Sequence, residues 1–196
     1  MNVLAEGMDP QRLDDRQLLA AHVAGDPEAF ALIFQRHRDR LWAVALRTLK
    51  DPEEAADALQ EAMISAFRRA EGFRGEAQVT TWLHRIVVNA CLDRIRRNAV
   101  RRTEPLPEQG EADPALAGAG GQEDRLEREQ LRLGVIEALA QINADQRAAI
   151  VLVDMEGYSV EEAATMLGCA PGTVKSRCSR GRARLAPLLQ DLRQVV

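Results

Sequence analysis

The sequence has few aromatic residues, few cysteines and no long apolar run, and each shortage excludes a class of protein. Aromatic residues make up 4% of the 196 residues, and all but one of them precede residue 83. The three cysteines (Cys91, Cys169 and Cys178) are too few and too scattered for a disulfide framework or a paired-cysteine metal site. No apolar run approaches the roughly 18–20 residues of a membrane span, and charged residues interrupt any N-terminal secretory signal. We therefore expect a soluble, reduced protein of the cytoplasm that does not itself insert into a membrane.

The usual signatures of catalysis are also missing. There is no glycine-rich phosphate loop, no G-x-S-x-G turn and no cysteine–histidine pair. The histidines His22, His37 and His84 lie far apart, without the spacing of metal ligands. Cys91 and Cys178 fall within predicted helices and are expected to be buried, whereas Cys169 falls in a predicted turn. The sequence thus predicts a protein that is not an enzyme and has no metal or cofactor.

What the sequence does have is charge divided into blocks. The net charge is only −4, yet residues 82–102 carry six arginines against one aspartate. Residues 171–185 carry five basic residues and no acid, while residues 104–129 carry eight acids against two arginines. Five acids and no base occupy 51–61. Two basic segments separated by an acidic one favour two contacts with a polyanion and a separate partner for the acids, although basic runs are often merely solvated helix faces.

A segment poor in large apolar residues divides the chain. Residues 103–123 contain three prolines and several glycines and keep neither helical nor strand periodicity. We predict a flexible linker over 99–123, between one domain at 14–98 and a second at 124–190. With 46% hydrophobic residues, both domains have enough apolar side chains for a core.

Helical spacing dominates the first domain. A short helix is predicted from Leu13 to Ala24, closed by Gly25, and Asp26-Pro27 is expected to start a long helix as N-cap and first residue. Asp51-Pro52 starts a third helix, whose predicted inner stripe is Ala55, Leu59, Ala62, Met63, Ala66 and Phe67. A loop from Phe73 to Val79 leads to a helix over about 81–98. Strand-like alternation is absent, so the predicted fold is all-α.

The second domain ends in a predicted helix-turn-helix. Helices are expected near 124–141 and 144–156. A capping box of Ser159 and Glu162 then opens a short helix, and Gly168 supplies the turn before a final helix from Pro171 to about Leu189. Small Ala164, Gly168 and branched Val174 meet the packing needs of that motif. Because the last helix carries all five basic residues of 171–185, it is suited to the major groove of DNA, although a helical hairpin without DNA contact remains an alternative.

Three segments resemble those of bacterial sigma factors. Residues 81–97, beginning Thr-Trp-Leu-His-Arg, resemble the helix that reads the promoter −10 element, and 172–185 resemble the −35 reading helix. Residues 57–67 resemble the helix that docks on the clamp of RNA polymerase. The order and spacing are similar to the two-domain extracytoplasmic-function (ECF) group, and within it to the actinobacterial sigma-M branch. The resemblance implies a polymerase subunit that binds core enzyme, recognises both elements and initiates transcription of a stress or envelope regulon.

The resemblance also implies where the polymerase and the −10 element bind. The clamp contacts fall on one helix face, at Asp57, Gln60, Glu61, Ile64 and Phe67. For the −10 element, a base of the single strand is expected in a pocket of Phe73, Asn89 and the loop 74–80. The full set of −10 residues is Phe73, Arg74, Val79, Thr80, Trp82, Arg85, Asn89, Arg94, Arg96 and Arg97. Structural roles compete here, because Phe73 could instead hold the loop, Asn89 could cap a carbonyl and Trp82 could belong to the core.

The −35 element is expected on the last helix. Lys175, Ser176, Ser179 and Arg180 occupy the base-reading face of the family, and such side chains can bond to base edges in the major groove. Phosphate contacts are assigned to Thr173, Arg177, Arg182 and Arg184.

The expected partners are therefore core RNA polymerase, through its clamp and flap regions, and promoter DNA that is double-stranded at −35 and single-stranded at −10. The resemblance adds an anti-sigma protein. The alternative of a stand-alone helix-turn-helix regulator explains the second domain but leaves the first 98 residues without a role.

Overall fold

The structure is a computed structural model that describes residues 12–101 and 122–195. Within these ranges all regular secondary structure is helical, which confirms the predicted all-α class. Most of the predicted linker, with the acids Glu104, Glu108, Glu111 and Asp113, lies outside the described residues. The helices on either side extend further than predicted, since one ends at Arg101 and the next begins at Gln122.

Four helices form the N-terminal domain: α1 (Asp15–Val23), α2 (Ala29–Leu49), α3 (Pro52–Arg69) and α4 (Val79–Arg101). Local signals place their starts. Asp14 and Gln17 form a reciprocal capping box before α1, and Asp51 accepts hydrogen bonds from the backbone N–H groups of Glu53 and Glu54 at the start of α3. A 3₁₀ turn over Ala70–Gly72 ends α3.

The start of α2 differs from the prediction. Pro27 and Glu28 form a turn after Asp26, and the helix begins only at Ala29. The Asp26 carboxylate accepts a hydrogen bond of 3.0 Å from the backbone N–H of Glu28, and Asp26 is buried. An Asx turn thus takes the place of the expected N-cap. In either conformation the Asp26 carboxylate can accept a hydrogen bond from the backbone N–H two residues later.

The C-terminal domain contains α5 (Gln122–Ala140), α6 (Ala144–Ile150), α7 (Val160–Leu167) and α8 (Pro171–Val195), with a π-helical turn at Val151–Met155 after α6. The predicted helix-turn-helix is present in α7 and α8. Ser159 and Glu162 form the capping box, and Gly168 ends α7 with φ +62°. Ala164 and Val174 are both buried, as the motif requires.

The two domains pack against each other and share one continuous hydrophobic core. Helix α4 contacts α6 and α7, while α2 contacts α5 and α6. Polar contacts cross the boundary as well. Arg147 of α6 donates to the carbonyl oxygen of Thr48 at 2.7 Å, at the negative end of α2, and burial lowers the pKa of this arginine. The domains thus form a closed arrangement.

Candidate nucleic-acid interface

The exposed face of α3 carries the residues predicted to meet the polymerase. Its opposite face is buried through small side chains, including Ala55, Ala58, Ala62 and Ala66. The exposed positions are Asp57, Gln60, Glu61, Ile64 and Phe67. The structure therefore brings all five predicted residues to one side of one helix.

Arginines of α4 hold the acids of this face. Arg94 donates to Glu54, to Asp57 at 2.6 Å and to Glu61 at 3.1 Å. Arg97 donates to Glu61 at 2.7 Å. The three carboxylates raise the pKa of Arg94 above its usual value. We call Glu54, Asp57, Glu61, Arg94 and Arg97 the α3–α4 charge cluster.

Phe67 corrects the predicted inner stripe of α3, because half of its surface (50%) is exposed. Its ring packs at centroid distances of 4.3 Å from His22 and 5.3 Å from Phe30. Ile64, 44% exposed, lies one turn before it. The exposed face of α3 is therefore acidic at one end and apolar at the other. Protein interfaces combine an apolar centre with a polar rim, so both kinds of side chain suit a protein partner.

A cleft of about 1620 Å³ runs between the end of α3, the loop 73–78 and α4, and α7 of the other domain forms part of its wall. We call it the α4 cleft. The predicted −10 residues that line it are Phe73, Arg74, Trp82, Arg85, Asn89, Arg96 and Arg97. The rings of Phe73 and Trp82 lie 5.3 Å apart at an angle of 54°, so aromatic surface and an amide group face the same space.

Three predicted −10 residues do not line the α4 cleft. Val79 is 2% exposed and belongs to the hydrophobic core at the start of α4. Thr80 lies in the first turn of that helix, half-buried. Arg94 is held in the α3–α4 charge cluster. The prediction that both residues lie in the loop is wrong, because α4 begins at Val79, whereas their role at the −10 element stays a prediction.

The cleft also contains residues that sequence reasoning missed. Arg16, Arg68 and Arg69 line it, and Arg16 donates from Nη2 to the carbonyl oxygens of Gly75 at 3.1 Å and Ala77 at 3.4 Å. Arg68 and Arg69 lie in the last turn of α3, where basic side chains are common because they interact favourably with the helix dipole. Their position therefore did not indicate a binding site. Arg16 lies about sixty positions before the loop that it contacts, so local spacing gives no signal for it.

Asn89 has a partner in the other domain. Its side-chain N–H donates to the backbone carbonyl of Met166, near the end of α7, at 3.0 Å. The alternative role considered for Asn89, capping a carbonyl, is therefore present in this structure. The same amide lines the α4 cleft.

Helix α8 separates a buried face from an exposed one. Val174, Cys178, Gly181 and Leu185 recur at three- and four-residue steps and are buried. Lys175, Ser179, Arg180, Arg182 and Arg184 are exposed, and Thr173, Ser176 and Arg177 are half-buried. Three of the four predicted base-reading residues thus point outward, and Ser176 donates to the carbonyl of Thr173 at 3.0 Å.

Two of the predicted phosphate contacts on α8 have structural partners. Arg177 donates to Asp145 at 2.6 Å and tethers α8 to the start of α6. Arg182 forms two hydrogen bonds to Asp154, at 2.9 and 2.6 Å, which raise its pKa. The half-buried Arg177 therefore packs α8 against α6 in this structure, and its assignment to phosphate stays a prediction. Lys175, Arg180 and Arg184 are the cations of α8 with exposed side chains and no ion pair in the described part of the chain.

The three cysteines are buried or half-buried. Cys91 and Cys178 are buried, as expected, and burial raises the pKa of the Cys91 thiol to about 12, so that this thiol stays protonated. Cys169 is half-buried. Among the described residues no group of three or more His, Cys, Asp and Glu side chains has the arrangement of a metal site. None of the helices described here combines the length and the apolar character of a membrane span.

Comparison with known proteins identifies both domains. Residues 33–101 match the family Sigma-70 region 2, and residues 132–185 match Sigma-70, region 4. The chain is 51% identical over 175 residues to the ECF RNA polymerase sigma factor SigM of Mycobacterium tuberculosis, covering 89% of this chain and 84% of that protein.

Two solved structures show the same fold. Sigma factor RpoE, in complex with the anti-sigma factor NepR from Bartonella quintana, aligns with a TM-score of 0.64 at 29% identity over 83% of this chain and 98% of that one. CnrH, in complex with the cytosolic domain of CnrY, aligns with a TM-score of 0.62 at 26% identity over 93% and 99%. These matches cover both helical domains in the order that the sequence motifs predicted, and the chain belongs to the ECF sigma factors of bacterial RNA polymerase.

Proposed function

We propose that the chain binds core polymerase through the exposed face of α3, reads the −35 element with α8 and captures the −10 single strand in the α4 cleft. The observation that carries this assignment is the cleft itself. It places the aromatic rings of Phe73 and Trp82 beside the Asn89 amide and a set of arginines. Aromatic stacking, amide bonding to a base edge and cationic contacts to phosphates are the means by which single strands are bound.

The −35 contacts follow from the outer face of α8. Lys175 and Arg180 can donate to guanine O6 and N7, and Ser179 can bond to either kind of base. Arg184 serves as a phosphate contact. Arg182 can serve as a second one through the N–H groups that its bonds to Asp154 leave free. The basic outer face and the buried inner face of one helix are the arrangement that major-groove reading requires.

The polymerase and an anti-sigma protein are the proposed protein partners. The exposed acids and apolar residues of α3 suit the clamp, and the C-terminal domain suits the flap. RpoE was solved with the anti-sigma factor NepR, and CnrH with the cytosolic domain of CnrY. These complexes support a protein partner of the same kind here. The place of action is the cytoplasm, where bacterial polymerase works, and the regulon is one of stress or envelope genes.

A reconstituted holoenzyme tests the −10 assignment. Promoters are first selected from a randomised library by run-off transcription with wild-type protein and core enzyme. Asn89→Ala is expected to keep core binding and to lose most open-complex formation, measured by permanganate footprinting of unpaired thymines. The matched control is Asn98→Ala, on the same helix but outside the cleft. Normal opening by the Asn89 variant would remove the α4 cleft from the mechanism.

A further inference from the structure

Ion pairing divides the arginines that line the α4 cleft into two groups. At the end formed by the last turns of α4, Arg96 and Arg97 are each paired with a carboxylate, at 2.8 and 2.7 Å. At the other end, Arg68 and Arg69 of α3 are exposed and form no ion pair with another described residue. Two cations whose donors are free to bind a ligand therefore lie at the end of the cleft next to the loop 73–78, which we call the loop end.

The hairpin of α3 and α4 places Arg68 and Arg69 at this end. Helix α3 ends at Arg69 and α4 begins at Val79. Glu61, about two turns before the end of α3, accepts a hydrogen bond from Arg97 near the far end of α4. The two helices are therefore antiparallel, and the last turn of α3 lies beside the first turns of α4.

The loop end has a net positive charge. Arg16 of α1 reaches it and donates to two carbonyl oxygens of the loop, at 3.1 and 3.4 Å. Arg74 lies in the loop itself, and the acids of this end are Glu71 and Glu76. Together with the two arginines of α3, four arginines thus face two acids. Within the part of the chain that the structure describes, no ion pair joins these acids to them, so the positive charge is available to a polyanion.

We propose that Arg68 and Arg69 bind the phosphates of the single strand on the 3′ side of the captured base. This inference rests on the proposed role of the α4 cleft. Guanidinium groups bind phosphate through paired N–H donors, and these two have no carboxylate partner to give up for it. The direction follows from the order of the chain. The far end of α4 leads to the domain assigned to the −35 element, which lies on the 5′ side of the −10 element, so the strand leaves the cleft at the loop end.

Reconstituted holoenzyme tests the proposal with three labelled single strands. All three copy the non-template strand of a promoter selected from the randomised library. The short probe covers the −10 element alone, the second probe extends it by about six nucleotides on the 3′ side, and the third by about six on the 5′ side. Native gels resolve the complex of holoenzyme and probe. The chain is kept in excess over core enzyme, so that a weaker affinity for core does not limit the titration.

Arg68→Gln/Arg69→Gln removes both charges. This variant is expected to bind the short and the 5′-extended probes as the wild type does, and to bind the 3′-extended probe about tenfold more weakly. Its salt slope on that probe is expected to fall by about 1.4, since each phosphate contact of a single strand contributes about 0.7. Arg68→Lys/Arg69→Lys keeps both charges and is expected to keep the slope. Arg38→Gln/Lys50→Gln removes the same charge at exposed positions outside the cleft and is expected to match the wild type on all three probes.

The outcomes separate this inference from the function on which it rests. Wild-type affinity and salt slope of Arg68→Gln/Arg69→Gln on the 3′-extended probe overturn the inference, and so does a loss that appears equally on the short or the 5′-extended probe. Asn89→Ala, measured with the same probes, is expected to weaken all three alike. If it weakens none, the role of the α4 cleft in the proposed function fails, and the inference fails with it.

Circular dichroism checks the helix content of each variant. If the double Gln variant loses helix content, Arg68→Gln and Arg69→Gln are measured singly. Each is then expected to reduce the salt slope on the 3′-extended probe by about 0.7. An unchanged slope in both single variants overturns the inference as well.

Discussion

At the scale of single residues, some side chains that are proposed to bind a partner also hold two helices together. Arg94 belongs to the basic segment that the sequence assigns to DNA, yet its guanidinium is held by three carboxylates of α3. These pairs link α3, the helix proposed to face the polymerase, to α4, which lines the α4 cleft. Substitutions in this cluster must therefore be chosen so that α3 and α4 stay joined.

Charge reversal of Asp57 and Glu61 tests the polymerase surface. We expect Asp57→Lys/Glu61→Lys to abolish core binding, because both side chains are exposed and their charges would meet the polymerase with the wrong sign. The fold is expected to survive, since Glu54 still holds Arg94. Native gel comigration with core enzyme measures binding, and circular dichroism measures helix content. Glu28→Lys/Asp39→Lys changes the same charge on another part of the domain and should bind normally, whereas retained affinity in the Asp57/Glu61 variant would contradict the clamp assignment.

Substitutions on α8 distinguish base reading from phosphate contact. Lys175→Ala and Arg180→Ala are each expected to lose roughly 1–3 kcal/mol of discrimination at the −35 element. Arg184→Ala is expected to weaken all sequences alike and to reduce the salt slope by about one. Binding titrations over a set of −35 variants at several salt concentrations measure both effects.

A change of sequence preference in Arg184→Ala would mean that α8 enters the groove with a different face. Arg182→Ala provides a further comparison. It removes a proposed phosphate contact and also leaves the negative charge of Asp154 without its ion-pair partner. Because that charge repels phosphate, we expect a larger loss of affinity for DNA than for Arg184→Ala.

His84 makes stability depend on pH. Burial lowers its pKa from 6.5 to about 4, while nearby Glu156 raises the pKa and Arg40 and His37 lower it. The unfolded chain therefore takes up this proton at higher pH than the folded chain. The contribution of neutral His84 to stability is complete above pH 6.5 and is lost as the pH falls toward 4. The free energy of unfolding is therefore expected to fall by about 2 kcal/mol between pH 7 and pH 5 through this residue.

Urea unfolding at these two pH values measures the change. His84→Gln removes the ionisable group, so its free energy of unfolding is expected to fall about 2 kcal/mol less over this range than that of the wild type. Equal slopes for the two proteins would show that acids elsewhere dominate the pH dependence.

At the scale of helices, the close packing of α8 on α6 determines how replacing a glycine of α8 by alanine changes stability. A Cβ at Gly181 would lie 2.5 Å from Cδ1 of Ile150, whereas one at Gly172 would meet nothing within 4 Å. Alanine gains up to about 1 kcal/mol of helix propensity over glycine at either position. Forcing a methyl against buried Ile150 costs about 1–3 kcal/mol.

The two glycines therefore form a matched pair. Gly172→Ala is expected to raise the free energy of unfolding by up to about 1 kcal/mol, and Gly181→Ala to lower it by a similar amount, since overpacking outweighs propensity. Thermal or urea unfolding measures both. Stabilisation by Gly181→Ala would show that Ile150 has room to move its terminal methyl group.

Helix starts and the helix-turn-helix were predictable because their causes are local. Asp51, Ser159 and Gly168 each satisfy backbone groups within a few residues, so the sequence alone indicates where these helices begin or end. Asp26 misled the prediction, since the same side chain can make either an N-cap or an Asx turn. The exposed position of Phe67 depends on the rings of His22 and Phe30, which no helical period reveals.

At the scale of the whole molecule, the sequence does not show how the domains meet. The polar contacts across the boundary join residues 74 to 116 positions apart, from His84 with Tyr158 to Arg40 with Glu156. Asn89 bonds to a backbone carbonyl, a group that every residue possesses, so its partner leaves no mark in the composition. The blocks of charge indicated two DNA contacts, but the closed arrangement follows only from three-dimensional packing.

The charge of the connecting segment gives a prediction at this scale. The acids between 104 and 120 are proposed to follow a nucleic-acid channel of the polymerase in place of a strand. Replacement of 104–120 by a neutral Gly/Ser chain of equal length is expected to preserve core binding and to impair initiation. Run-off transcription and core comigration measure the two effects, and unimpaired initiation would show that this charge has no role.

The length of the same segment sets a second requirement. Elements at −10 and −35 are separated by nearly two turns of duplex, roughly 60 Å. The roughly 20 residues between Arg101 and Gln122 can extend about 65–70 Å, which suffices only when the domains have left the closed arrangement. Removing about ten residues halves the reach, so initiation is expected to cease while duplex binding by α8 persists. The Gly/Ser chain of full length is the control for composition. Full promoter activity in the shortened protein would mean that its domains do not hold both elements at once, and the assignment of one element to each domain would then be wrong.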